Sequence, residues 1–241
     1  MQKTGKKNFY ITLIIIVLIL VLSTVYYSNC FNHDSNNEIF TFKYVPNHMN
    51  YGAVLKDGPY GNISSPVKIA YIIGVHPLES KSHAAVLDTI KTNDKALKHC
   101  YYIYRVMVTK DQEDYTKGRI NGQILAYSFA VPDIKGNNFD LVVDVHSNRG
   151  NYSEKLFVFS PLKSTKSERI AWQIKDKLPW LAYYVPPLLP EPTSGPYVSV
   201  PLIKSGTPAI IYEVYTYDSY SQILNYAHEF VKTVDKMDLY I

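Results

Sequence analysis

Cysteine is nearly absent from this 241-residue chain, which has only Cys30 and Cys100. Two so placed exclude a thiolate zinc site and a disulfide framework. They are not read as a bridge, because Cys30 lies in a tether and Cys100 at a strand start. Charge is sparse: charged residues make up 19 % and the net charge is +4. Lys and Arg are scattered, without a basic stripe or a nucleic-acid-binding motif, which argues against a nucleic-acid partner. There is no internal repeat. Apolar residues, by contrast, make up 46 % of the chain, too many for disorder. The 22 tyrosines accompany abundant Lys, Asn and Ile and are read as compositional bias rather than as a stacking surface.

One apolar run is long. Residues 9–27 carry no charge and follow Lys3, Lys6 and Lys7. As a helix this run spans roughly 28 Å, near the hydrocarbon thickness of a bilayer. Lysines on its N-terminal side keep that end cytoplasmic and send the rest across. The exit, Ser23-Thr24-Val25-Tyr26-Tyr27-Ser28-Asn29-Cys30, has no Ala-x-Ala cleavage site. The expected organisation is a cytoplasmic N-terminus (1–8), a transmembrane signal anchor (9–27), a linker (28–38) and an extracytoplasmic domain (39–241). The acceptor sequons at Asn62 and Asn151 carry little weight in an Asn-rich chain.

Past the linker, apolar runs alternate with amphipathic stretches. Strands are expected at 67–74, 101–108, 139–145, 156–159 and 208–214. Helices are expected at 80–92 (Ala84, Leu87 and Ile90 inward), 119–130 (ending before Pro132), 165–178 and 219–237. The proline-dense stretch 179–208 reads as a long ordered loop beside a cleft. Continuous apolar strands separated by helices indicate an α/β fold with a mixed, mostly parallel central sheet flanked by helices.

Three short pieces stand at the carboxyl ends of these strands, where open α/β sheets bind ligands. They are His76-Pro77-Leu78-Glu79, Asp144-Val145-His146-Ser147-Asn148 and Tyr212-Glu213-Val214. Two His and one Glu make a ligand set for a catalytic zinc that keeps one position open for water. A further carboxylate supplies the general base. Plainer readings exist. His76 caps the next helix with Glu79 in its first turn, His146 is a packed residue, and His83 is a surface or helix-packing His. Glu213 resists such a reading, because a carboxylate at the end of a buried strand is costly unless paired or bound to a cation.

The order His-x-x-Glu, Asp-x-His and a late-strand Glu resembles the zinc carboxypeptidase superfamily, most closely its succinylglutamate desuccinylase/aspartoacylase branch. Pro77 departs from the branch's Gly at that position. The resemblance implies that His76, Glu79 and His146 bind Zn2+ and that Glu213 is catalytic, with Asp144 orienting a ligand. The branch's Asn-Arg pair, which binds a substrate carboxylate, is missing. Arg119, Arg105 or Arg149 is expected to replace it, with Asn148 and Tyr215 (or Tyr217) also facing substrate. The expected function is a membrane-anchored zinc hydrolase that cleaves an amide bond in a peptide or N-acyl amino acid. The alternative is a catalytically silent binding domain on the same fold.

Overall fold

The computed structural model describes residues 50–163, 165–187 and 193–239. The expected anchor and linker lie outside these residues. Among the described residues no helix is long and apolar enough to cross a membrane.

In chain order the elements are β1 (Gly52–Gly61), β2 (Lys68–Ile73), a 3-10 turn (Pro77–Glu79), α1 (Ser80–Thr92), a second 3-10 turn (Asp94–Ala96), β3 (Cys100–Val108), α2 (Tyr115–Leu125), a π turn (Ala126–Ala130), α3 (Val131–Gly136), β4 (Leu141–Asn148), β5 (Phe157–Phe159), α4 (Lys166–Lys177), β6 (Ala182–Tyr183), α5 (Ser199–Lys204), β7 (Ala209–Tyr215) and α6 (Tyr220–Asp235). The strands form one seven-stranded sheet in the order β1-β3-β2-β4-β7-β5-β6. Its four central strands, β3, β2, β4 and β7, run parallel. Strand β1 joins β3 antiparallel, and β5 joins β7 antiparallel.

Alternation along the strands builds two cores. Ile69, Tyr71, Ile103, Val143 and Tyr212 meet Val86 and Ile90 of α1, Ile174 of α4 and Phe230 of α6. Ala70, Ile72, Tyr104, Val106 and Val142 face the opposite way, onto Leu125, Phe129, Ile134 and Leu202. Both faces of the sheet are therefore covered, which is why its strands read as unbroken apolar runs.

Four expectations need correction. The stretch expected to be helical over 119–130 starts at Tyr115, where Asp114 accepts from the Thr116 and Lys117 amides. It also continues past Pro132, because the π turn ends one hydrogen-bond ladder and lets the proline stand in the first turn of α3, where no donor is missed. The buried face of α1 is Ser82, His83, Ala85, Val86, Thr89 and Ile90, with Ala84 and Leu87 half-buried. The stretch 179–208 contains β6 and α5 rather than loop alone. Strand β4 does not stop at Val145: its pairing with β7 runs on to Asn148↔Tyr215, so His146 lies inside the strand.

Two glycines let the chain deliver His76. Gly74 has φ +85°, and a Cβ there would overlap the Val106 carbonyl. Gly122 brings α2 against the Val75 carbonyl, and a Cβ there would overlap that oxygen. Gly122→Ala is expected to destabilise the protein by about 1–3 kcal/mol, the usual cost of overpacking, as read from urea unfolding. Surface-exposed Gly136, which has open space around it, should accept Ala without loss.

Candidate metal centre

Neighbouring parallel strands place their C-terminal ends on one rim. Strand β2 leads through Gly74 into His76, whose backbone is extended at φ −115°, ψ 102°. One 3-10 turn, closed by the Glu79 amide on the His76 carbonyl at 3.0 Å, then carries Glu79 back beside His76. On β4 and β7, His146 and Glu213 are direct register partners.

Glu79 is the hub. Its buried carboxylate lies 3.0 Å from His76 Nδ1 and 2.9 Å from His146 Nδ1, on different oxygens. The Ser147 amide donates to Oε2 at 3.0 Å, and Arg119 donates to Oε1 at 2.8 Å. Donor atoms of His76, Glu79 and His146 all lie within 4.8 Å of one another, and all three residues are buried. This set fits a divalent cation. Tetrahedral bonds of about 2.0–2.1 Å hold ligand atoms about 3.3 Å apart, close to the spacing here, and two imidazoles with a carboxylate are a usual zinc set.

The distal nitrogens are also engaged. Gln123 Nε2 stands 3.1 Å from His76 Nε2. Rotating that amide by 180° would present its oxygen to the ring instead. The Nε2–H of His76 then has an acceptor, and Nδ1 keeps its lone pair for a metal. His146 Nε2 lies 2.9 Å from Asp144 Oδ1 and 2.8 Å from Ser194 Oγ. Asp144 therefore stands beside His146, on the side of the ring away from Glu79. His83 is neither on the surface nor in the cleft: it is buried, with Nε2 3.2 Å from the Val145 carbonyl.

Burial and charge push the titratable groups apart. Burial lowers His76 and His83 to about 4, so both rings are neutral. Burial also opposes charge on His146, but Asp144 and Glu79 outweigh it and hold the ring well above its ordinary value. Against the same burial, His76 and His146 hold Glu79 well below the usual carboxylate range. Glu213 goes the other way, raised to about 8 chiefly by burial. Its Oε2 is enclosed and has no hydrogen-bond partner among the described residues.

A cleft opens in front of these groups, and His76, Arg119, Tyr152, Thr193 and Glu213 line both of its lobes. One lobe is polar and holds Glu79, Tyr115, Asn148 and Arg149. The other, about 210 Å³, is walled by Phe159, Val185, Pro186, Pro187, Pro196 and Ile211.

Of the residues expected to face substrate, Arg119 and Arg149 reach the cleft, each stacked over Tyr115 at 4.9 and 4.7 Å from the ring centre. Arg119 Nε is buried and has no hydrogen-bond partner among the described residues. Arg105 is not at the cleft, because Asp57 on β1 holds it with Nε–Oδ2 at 2.7 Å. Asn148 borders the polar lobe, but its amide nitrogen donates to the Lys155 and Val214 carbonyls and its oxygen accepts from the Gly150 amide. Tyr215 packs under Lys155 (4.3 Å) and against Tyr217, outside the cleft lining. The phenol that does line both lobes is Tyr152, raised to about 12 by burial and then by Glu213. In the sequence Tyr152 showed only as the middle of a sequon, and Gln123 and Ser194 gave no signal, since their partners lie 47 and 48 residues away.

No protein-family model matches the chain, and neither does any curated protein sequence. Among solved structures, a metallopeptidase described as putative from Shewanella denitrificans is similar over 80 % of this chain and 81 % of its own, at 11 % identity and a TM-score of 0.51. Tripeptide-bound cell shape determinant Csd4 from Helicobacter pylori is similar over 76 % of this chain and 54 % of its own, at 9 % identity and a TM-score of 0.51. A succinylglutamate desuccinylase/aspartoacylase from Rhodobacter sphaeroides is similar over 75 % and 57 %, at 11 % identity and a TM-score of 0.49. The chain spans little more than half the length of these last two, and 59 % of a Burkholderia cenocepacia metallo-carboxypeptidase. At such identities the likeness is one of fold, shared with the Shewanella metallopeptidase and with Csd4.

The raised Glu213 has a measurable consequence for the metal-free protein. In the folded chain it keeps its proton to about pH 8, against 4.5 when unfolded. Folding thus takes up a proton between these values, so this contribution to stability is present below pH 4.5 and lost as pH rises through 8. In chelator-treated protein, Glu213→Gln should gain stability relative to wild type between pH 5 and pH 8, by urea midpoints. Parallel curves would contradict the assignment.

Proposed function

We propose that this protein is a zinc-dependent amide hydrolase acting on peptides or N-acyl amino acids. The observation that carries the reading is the convergence of the buried His76–Glu79–His146 set with Glu213, an enclosed carboxylate on the neighbouring strand with an unpartnered oxygen. His76, Glu79 and His146 would hold the zinc, which would supply a Lewis acid and water of lowered pKa. Glu213 accepts a proton from the attacking water at its free Oε2 and returns it to the leaving amine. Arg119, which lines both lobes of the cleft, offers a guanidinium for a carboxylate or a developing oxyanion. Tyr152 stays protonated at neutral pH and can donate to the same oxygen. Arg149 extends the cationic wall of the polar lobe.

The apolar lobe favours substrates with an apolar group next to the cleaved bond, since among the described residues its wall carries no charged side chain beyond those of the site itself. The tripeptide held by Csd4 on this fold is consistent with a peptide-like ligand. The N-terminal apolar run with its flanking lysines supports an anchored, outward-facing enzyme, and envelope peptides are then the nearest substrates.

Elemental analysis of the purified protein tests the reading. About one zinc per chain is expected, and His146→Ala should lose it. Glu213→Gln should keep the metal and lower hydrolysis of N-acyl-leucine or leucine-ended peptides about 10²–10⁴-fold, the usual worth of a general base. Zinc without any amide hydrolysis in wild type would leave the silent binding domain, and a wild type that takes up no zinc would end both metal readings.

A further inference from the structure

Ser194 belongs to the proline-dense crossing between β6 and α5, yet its side chain is only 3 % exposed and reaches the metal centre. Its Oγ lies 2.8 Å from Asp144 Oδ2 and 2.8 Å from His146 Nε2. Asp144 Oδ1 is 2.9 Å from the same nitrogen, but it has no aligned donor. The directed hydrogen bond from His146 therefore runs to the serine.

We infer that Ser194 is a positioning residue of the metal centre: its hydroxyl relays the hydrogen bond of His146 to Asp144 and ties the adjoining wall of the cleft to a metal ligand. The inference rests on the zinc reading above. With Nδ1 of His146 given to the zinc, the ring's remaining proton would sit on Nε2 and be donated to Ser194 Oγ. The serine passes its own proton to Asp144 Oδ2. Every donor in this chain has one acceptor, and the sequence of bonds can run in only one direction. It fixes the tautomer that leaves Nδ1 free to bind.

A Ser-His-Asp nucleophile is a different arrangement. There the acid and the serine occupy opposite nitrogens of the ring. Here both crowd Nε2, Nδ1 faces Glu79, and the serine proton already goes to Asp144. The hydroxyl is a relay and not an attacking group.

The backbone fixes Ser194 from the other side. Its carbonyl accepts the Tyr197 and Val198 amides at 2.9 and 2.8 Å, and the Gly195 carbonyl accepts from Val200 at 2.9 Å. Thr193, Ser194, Gly195 and Pro196 all line the apolar lobe. One hydroxyl thus joins the wall that meets substrate to the ligand that meets metal. By linkage, whatever steadies one must steady the other to the same extent.

Zinc affinity of the full chain, measured by chelator competition, tests this directly. Ser194→Ala should weaken zinc binding about 10–100-fold, the usual effect of losing a ligand's hydrogen-bond partner. Ser194→Thr, which keeps the hydroxyl, should restore affinity to within a few-fold. Added zinc should slow proteolysis at the 193–198 segment in wild type and do so less in Ser194→Ala. If Ser194→Ala does not fold, Ser194→Cys, with its weak S–H donor, is read in its place and should move the same way. Unchanged affinity, or a lower melting point of the metal-free variant with unchanged affinity, overturns the inference and leaves the zinc reading standing. A wild type that binds no zinc defeats the zinc reading and, with it, this inference.

Discussion

A buried carboxylate cannot stand alone, and Glu79 is where this structure meets that constraint. Taking an ionised carboxyl out of water costs several kcal/mol unless charge and hydrogen bonds replace the solvent. Here the replacements come from four places: His76 three residues back, His146 and the Ser147 amide on β4, and Arg119 on α2. No single element could supply them. The 3-10 turn must follow β2 at once, which needs Gly74 at positive φ. Helix α2 must press against that turn, which needs Gly122. Strand β4 must remain paired for three residues beyond Val145, so that His146 and Ser147 are held rather than looped out.

The same rim holds a second carboxylate in the opposite condition. Glu213 sits one strand over from His146, with an oxygen that nothing satisfies, and its pKa rises where that of Glu79 falls. Two carboxyl groups with environments that drive their protonation apart are the mark of divided roles. Glu79 is saturated by donors and is suited to hold a cation. Glu213 hydrogen-bonds Asn148 but keeps one enclosed oxygen without a partner among the described residues, and it lines the cleft, so it is suited to exchange a proton.

How much of this was legible follows from what local sequence encodes. Strands β2, β4 and β7 are apolar on both faces and announced themselves, and with them the rim on which His76, His146 and Glu213 converge. Helix α1 has its expected bounds but a rotated inner face, since Ser82, His83 and Thr89 are buried while Leu87 is only half-buried. Strand β1 was missed because Gly-Ala-Val-Leu-Lys-Asp-Gly-Pro-Tyr-Gly reads as turn. An edge strand tolerates the proline, and the register shifts between Asp57 and Tyr60. Arg105, Asn148 and Tyr215 looked available in the sequence, but each is committed to a partner that no spacing reveals. Gln123, Tyr152 and Ser194 were invisible for the converse reason, because their importance lies wholly in contacts across the fold.

Charge accounting links these pieces. With His146 protonated and Glu213 neutral, the positive charges of His146 and Arg119 balance the negative charges of Glu79 and Asp144. A divalent cation held by His76, Glu79 and His146, as proposed, would add two positive charges. Metal sites release protons as their ligands take the binding form, and two are at hand here: the Nδ1 proton of His146, which must leave for a lone pair to face the ion, and the proton that burial keeps on Glu213. Losing both restores neutrality and leaves Glu213 ionised, the form in which it can act as a base. If the site takes up a metal as proposed, that one event would relieve Glu79 and set the charge of Glu213, because the two carboxylates share one buried field.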